Sequence, residues 1–350
     1  MKKQLMAFGI ASVSAIILTA THTVQAVTCT PTGFIRDAIN LTARYINPTG
    51  VVSGDADGTG CNIVVYYGPG AKGTVYGANV HGANYFGVVN NGGNVNVLYS
   101  SISDIGELPA NGDQHGVAIY FAFGQPNQGS VIGNNIWYYQ KAGIVINGSK
   151  NQVEVGFNTV TGRGAVNFIA QNGIQIGYGT KNAFVHDNFV SGNSYSGANL
   201  AASGGILLVG GDCYGGPLTT NASILQNKLV GNDVGVWLSN LDASCNPSSV
   251  LTRDTVSLNG AVNNGVYNTT GNGPTQGYQA GISDQGDGDI ISFNDTCGSG
   301  YTGGISPAAA LYTIDVTLTN SPVVKKNAIC LGPDPLPAGT GYMIQASPVR

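Results

Sequence analysis

From about residue 86 onward one short pattern of apolar and polar positions recurs along the chain. A glycine opens it, followed by branched apolar residues at alternate positions, a polar turn, and then Asn-x-(Val/Ile/Leu). The triplets start at Asn134, Asn158, Asn188, Asn227 and Asn327, with degenerate copies at Asp254 and Asn294. An apolar residue stands three positions earlier each time: Val131, Val155, Val185, Ile224, Leu251, Ile291 and Val324. Upstream lie Gly116-Val117-Ala118-Ile119, Gly143-Ile144-Val145-Ile146, Gly173-Ile174-Gln175-Ile176, Gly205-Ile206-Leu207-Leu208 and Gly235-Val236-Trp237-Leu238. Weaker forms occur at Gly87-Val88-Val89 and Gly281-Ile282.

The apolar runs are too short for helices, rich in β-branched residues, and bounded by Gly and Asn, so they read as strands. Successive triplets start 24, 30, 39, 27, 40 and 33 residues apart. A fixed minimum with variable insertions is what a solenoid gives when each lap keeps its strands and varies its loops. Hairpins of a sandwich or propeller would not hold one Asn at the same point of every repeat over such uneven spacing. The expectation is an all-β chain wound as a right-handed parallel β-helix. Asn suits a left-handed turn between two strands and can hydrogen-bond its counterpart one lap away.

The cysteines offer an independent check. Cys297 and Cys330 each lie three residues after a ladder asparagine, and Cys213 and Cys245 follow Gly205 and Gly235 at similar offsets. Equivalent positions on adjacent laps stack about 4.8 Å apart, inside the Cα range of a disulfide. Cys29–Cys61 follows by elimination, tying down the start. At that end "PTGFIRDAINLTARYINP", residues 31–48, sets Phe34, Ala38, Leu41 and Tyr45 on one helical face. It predicts an N-terminal capping helix over the open first lap.

A basic start at Lys2 and Lys3, an apolar run, and small residues ending at Ala26 mark residues 1–26 as a secretory signal peptide. Residues 27–50 then form the N-terminal cap, 51–332 the β-helix, and 333–350 a C-terminal cover or tail. Losing Lys2 and Lys3 takes the formal net charge from −4 to −6. A mildly acidic chain with only 9% charged residues has no electrostatic footprint for nucleic acid. Six cysteines in an exported chain suit disulfides, and no Cys/His spacing for zinc appears. The expected location is secreted or periplasmic, as a monomer, with no membrane contact after cleavage.

On its Gly-Ile-x-Ile and Asn-x-Val repeat, over residues 50–330, the sequence resembles the secreted right-handed parallel β-helix proteins of the pectate-lyase-like superfamily. That resemblance implies a fold and a polysaccharide partner, but it spans lyases, hydrolases, epimerases, adhesins and accessory proteins, so activity has to come from the site. Enzymes of this kind act in a groove along one sheet with carboxylates, a Lys or Arg, and sometimes His or Tyr. In several uronate epimerases an Asp-Pro-His-type motif lies on the strand that here reads Gly-(Ile/Val)-x-(Ile/Leu). This chain departs from it: the outward pairs Ala118/Tyr120, Val145/Asn147, Gln175/Gly177, Leu207/Val209 and Trp237/Ser239 contain nothing ionisable.

Chemistry collects instead just ahead of the strands. Asp113, Gln114 and His115 precede Gly116; Tyr138, Tyr139 and Lys141 precede Gly143; Gln171 and Asn172 precede Gly173. Asp104, Glu107 and Arg163 flank them. Such a set suits proton abstraction beside a uronate carboxylate, with Lys141 or Arg163 neutralising charge and His115 or Tyr139 moving the proton. It equally suits a glycosidase carboxylate pair drawn from Asp104, Glu107 and Asp113. The catalytic candidates are therefore Asp113, His115, Tyr139, Lys141 and Arg163. The sugar-binding candidates are Gln114, Tyr120, Gln171, Asn172 and Trp237, the last as a stacking platform. For each one the plainer account is a loop residue bonded along the stack. The acidic turns Asp55–Gly60 and Asp284–Asp289 have calcium-like spacing yet complete neither an EF-hand nor a nonapeptide calcium repeat, so no cofactor is expected. Two functions remain: an exported protein that binds, and cleaves or epimerises, an acidic polysaccharide, or a non-catalytic rod for surface display.

Overall fold

Strands of three to seven residues cannot bury an apolar face alone, and stacking identical laps is how such strands acquire a core. The computed structural model describes residues 28–148, 153–268, 277–302, 310–316, 319–330 and 346–350. Residues 1–26 and most of the segment 333–350 lie outside them. The described chain is a parallel β-helix. One sheet of eleven strands runs through Ile63–Tyr67, Phe86–Asn90, Val117–Phe121, Ala142–Asn147, Asn172–Gly177, Gly204–Gly210, Val234–Asn240, Tyr278–Asp284 and Ala310–Asp315. Beside it two further parallel ladders meet at a corner in every lap, eighteen short strands in all. Inward-facing Val, Ile and Leu from all three faces form one continuous core along the bore.

The corner between the two short ladders carries the asparagines. Asn134 Nδ2 donates to Asn158 Oδ1 at 2.9 Å, and the same bond repeats from Asn158 to Asn188, Asn227 and Asn259 at 2.9 Å. It continues from Asn259 to Asn294 at 3.0 Å and from Asn294 to Asn327 at 2.9 Å. Ser100 takes the place of the first rung, its backbone N–H donating to Asn134 Oδ1. Two sequence assignments change here. The rung after Asn227 is Asn259, not Asp254, and its inward partner is Val256, since Leu251 is exposed. Asp254-Thr255-Val256 imitates the triplet, whereas the true rung is followed by the small pair Gly260-Ala261. The left-handed residue is also not the Asn but the one before it: Tyr99, Phe157, Asp187, Gln226, Leu258, Phe293 and Lys326 all have φ between 48° and 59°. The asparagine is freed for the ladder by its neighbour's turn.

One lap shifts register. Ala142 pairs with Val117, so Ala118, not Gly116, faces Gly143, and Ala118 belongs to the core. Gly116 sits in the preceding turn at φ 83°.

The expected capping helix is a hairpin. Strand β1 (Thr30–Arg36) and strand β2 (Ile39–Ile46) are antiparallel, and β2 joins the eleven-stranded sheet beside Ile63–Tyr67. Asp37 and Ala38, at φ 51° and 61°, make a two-residue turn with both central residues left-handed, whose twist suits a hairpin. The spacing of Phe34, Ala38, Leu41 and Tyr45 fits a helix by coincidence. The open edge of the first lap instead takes a strand, which satisfies its backbone groups directly. Disulfides Cys29–Cys61, Cys213–Cys245 and Cys297–Cys330, with Cα separations of 5.4, 4.9 and 5.1 Å, pair as the lap alignment requires. They place the folded chain in an oxidising, extracytoplasmic setting. Among the described residues no helix is long and apolar enough to cross a membrane.

The outer face of the eleven-stranded sheet is covered. Phe34 of the hairpin lies against Tyr66, Phe86 and Tyr120 at centroid distances of 6.2–6.4 Å. Further along, residues 346–350 lie across the sheet. The Val349 backbone N–H donates to the Gln175 side-chain oxygen and its carbonyl accepts from the Gln175 amide nitrogen, while Asn147 and Asn172 donate to the carbonyls of Val349 and Ser347. Beyond them Tyr178, Leu200 and Tyr214 help bury a second apolar layer around Leu207 and Trp237.

Candidate functional site

The loop Asp104–Gly116 connects a strand of the short ladders to Val117–Phe121, and it is shaped from below by Gln140. The Gln140 Oε1 accepts the backbone N–H groups of Glu107 and Asn111, while its Nε2 donates to Asn111 Oδ1 and to the Asp113 carbonyl. This clamp brings Glu107, Asp113 and His115 together, one carboxylate oxygen of each acid and one imidazole nitrogen all lying within 4.8 Å of one another. His115 is 5% exposed and stacks on Tyr85 at 3.8 Å between centroids. Its Nε2 lies 2.8 Å from Glu107 Oε1, which also accepts from Asn84.

A carboxylate only accepts, so the proton of a neutral His115 sits on Nε2 and Nδ1 carries the free lone pair. The hairpin tip faces that nitrogen, with Asp37 Oδ2 3.9 Å away. Beside Asp37, Arg36 donates to the Gln114 carbonyl and the Tyr120 hydroxyl, and reaches the backbone carbonyl of Arg350. Burial, together with the charges of Asp37, Glu107 and Asp113, pushes the Tyr85 phenol above its ordinary value. The site is thus an imidazole among three carboxylates with one guanidinium alongside. It can move a proton at Nδ1 and can hold an anion only on the Arg36 side.

The other sequence candidates lie elsewhere. Lys141 is fully buried, and its amine donates to the Ala170 carbonyl, the Ser347 carbonyl and the Ser347 hydroxyl at 2.7, 2.7 and 3.0 Å. With no carboxylate among these partners, burial brings its pKa down to about 7. The Tyr139 ring is inside the bore, donating to Asn193 at 2.6 Å, and burial drives its phenol far up. Arg163 grips the carbonyls of Tyr138 and Tyr139. Gln171 and Asn172 are buried in backbone bonds, the Gln114 amide folds onto Gly112, and Tyr120 lies under Arg36 and against Phe86. Trp237 is completely buried, its indole N–H 3.2 Å from Gln285. Only Asp113 and His115 of the five catalytic candidates share one cluster. Arg36 and Asp37 escape sequence reasoning because their segment reads as a helix, and their place beside residue 115 depends on the hairpin turn it forms instead. Tyr85 and Gln140 carry no signal beyond their place ahead of a strand.

On comparison with known proteins, no family model and no curated protein matches this chain. Among solved structures it is similar to the Dettilon tailspike protein (gp208), at 13% identity and a TM-score of 0.37. That similarity covers 79% of this chain and 63% of the tailspike chain.

Proposed function

We propose that this is an exported β-helix protein that binds an acidic polysaccharide at the hairpin-tip cluster and acts on it by proton transfer. The observation carrying this reading is the convergence of Glu107, Asp113 and His115 within 4.8 Å, at a lap edge open to solvent through Asp37 and Asp113. His115 Nδ1, oriented by Glu107 at the opposite ring nitrogen, takes the proton next to a sugar carboxylate. Arg36 neutralises that carboxylate, the step that makes the proton removable. Asp37 and Asp113 receive sugar hydroxyls. Lys141, Tyr139 and Arg163 serve the fold around it.

A second reading, the non-catalytic display rod, draws on the cover that the hairpin and residues 346–350 lay over the outer sheet face. One screen separates the two. The purified chain is offered pectate, alginate and neutral glycans, with unsaturated-uronate absorbance, reducing ends and retention on immobilised glycan as readouts. Product that disappears in His115→Ala and drops in Glu107→Gln, while Lys141→Met retains it, supports the catalytic reading. Neither product nor retention on any glycan leaves the rod.

A further inference from the structure

The turns at the far ends of three neighbouring strands enclose a cavity of about 610 Å³. The strands are Val117–Phe121, Ala142–Asn147 and Asn172–Gly177, and the His115 cluster precedes the first of them, at the opposite edge of the sheet. Left-handed glycines make these turns: Gly124 at φ 84°, Gly148 at 67° and Gly179 at 86°. That conformation disfavours other residues, so main chain without side chains faces the cavity here. A Cβ on Gly124 would meet nothing within 4 Å. The walls are apolar, made by Phe123, Tyr178, Pro126 and Pro217. Size and lining are those of a ligand pocket.

Two cations stand beside it. Lys181 lines the cavity and is exposed. The Arg350 guanidinium carbon lies 4.8 Å from the Phe123 ring centre and 6.0 Å from that of Tyr178, and the two rings are 5.2 Å apart. Among the described residues every ion pair belongs to His81, His115 or His186, so neither cation is matched by a carboxylate. Positive charge therefore collects beside an apolar pocket, in a chain whose formal net charge is −4. Tyr178 is 3% exposed, and its hydroxyl makes no hydrogen bond among the described residues. Burial pushes that phenol far up, so it keeps its proton and remains a donor.

We propose that this cavity is a second sugar site, taking one carboxylate-bearing pyranose, a hexuronate. Such a ring has an apolar face for the aromatic and proline walls, hydroxyls for the bare turns and the Tyr178 phenol, and a carboxylate for Lys181 and Arg350. A purely apolar ligand would leave both charges unused, and a small inorganic anion would leave the aromatic wall unused. Choosing a sugar over another ring acid rests on the acidic-polysaccharide reading above; the cavity and its charge do not.

The full chain is labelled with 4-fluorophenylalanine and titrated with the methyl glycosides of galacturonate, glucuronate and mannuronate. The ¹⁹F resonance lost in Phe123→Leu reports this cavity. The one lost in Phe34→Leu reports the hairpin tip, because Phe34 lies against Tyr120, the ring under Arg36. At least one uronate should shift the Phe123 resonance saturably while its methyl ester does not. Lys181→Gln or Arg350→Gln should raise the midpoint about tenfold. Both side chains are exposed, and Arg350→Gln keeps the carbonyl that Arg36 bonds. No Phe123 shift with any of the three uronates overturns the site, as does an equal response to the methyl esters. An equal response to cyclohexanecarboxylate overturns the sugar. A response at Phe34 without one at Phe123 removes this inference and leaves the function proposed above standing; the reverse keeps the cavity and removes binding at the hairpin tip.

Discussion

The Lys141 ammonium donates to the Ser347 backbone carbonyl at 2.7 Å, a contact between residues 206 positions apart. It joins the sheet to the last residues of the chain, and it couples their docking to pH. Burial holds the Lys141 pKa at about 7 in the fold against 10.5 when free. Between these values the unfolded chain carries a proton that the folded chain does not, so stability rises with pH across this window. The slope approaches about 1.4 kcal/mol per pH unit at most. Urea midpoints of wild type measured against Lys141→Met from pH 7 to 10 should show the wild type gaining steadily.

Asn188 accepts the backbone N–H and the amide of Asn158, and donates to the Val155 carbonyl and to Asn227. Asn188→Ala strands a buried backbone donor, an amide and a carbonyl at once. The expected loss is about 3 kcal/mol by denaturant titration. Asn188→Asp should be worse, because its anion would face Asn227 Oδ1.

Asp233 is a buried acid whose titration is moved toward neutrality. Its Oδ2 accepts from the Tyr195 and Ser203 backbones and from Asn268, while Oδ1 has no partner. Burial raises its pKa to about 7 from 3.8, and the nearby Tyr301 phenol offers no positive charge to offset that. The folded state keeps this proton where the unfolded state has lost it, so stability is full below pH 3.8 and declines as pH rises to about 7. Asp233→Asn keeps the acceptor, adds a donor for the orphan side, and abolishes the ionisation. Its melting temperature relative to wild type should climb between pH 4 and 8; a flat difference would refute the buried ionisation.

The ladder corner stores strain in residues that touch little. Leu258 has φ 59° and is 55% exposed. Leu258→Gly relieves about 1 kcal/mol of left-handed strain while adding a comparable entropy to the unfolded chain, so its net effect stays within about 0.5 kcal/mol. Leu258→Val, β-branched at the same φ, should destabilise by about 1 kcal/mol. Paired thermal melts decide the sign.

The architecture was readable because its physics repeats. Each lap buries the same inward pair and bonds the same amide, so the pattern survives uneven loops, and the cysteines confirm its phase. What repeats weakly was misread: Asn259 hides before Gly-Ala, and Gly116 mimics an inward small residue. What occurs once was not readable at all. The hairpin tip that delivers Arg36 and Asp37 to His115 depends on one left-handed turn, and "SPVR" at the end gives no hint that its carbonyls meet Lys141 and Gln175. Sites assembled by non-repeating segments leave no period to find.

Arg36, in the first strand, bonds the carbonyl of Arg350, the final residue. A solenoid with free ends melts like a frayed rope, one lap at a time, because each lap knows only its neighbours. Here the first and last described segments clasp on the same face. Residues 346–350 thus bond the hairpin and the laps at Lys141, Asn147, Asn172 and Gln175 at once. The chain is thereby tied into a loop of contacts, and its unfolding should be a single concerted event rather than a progressive unravelling.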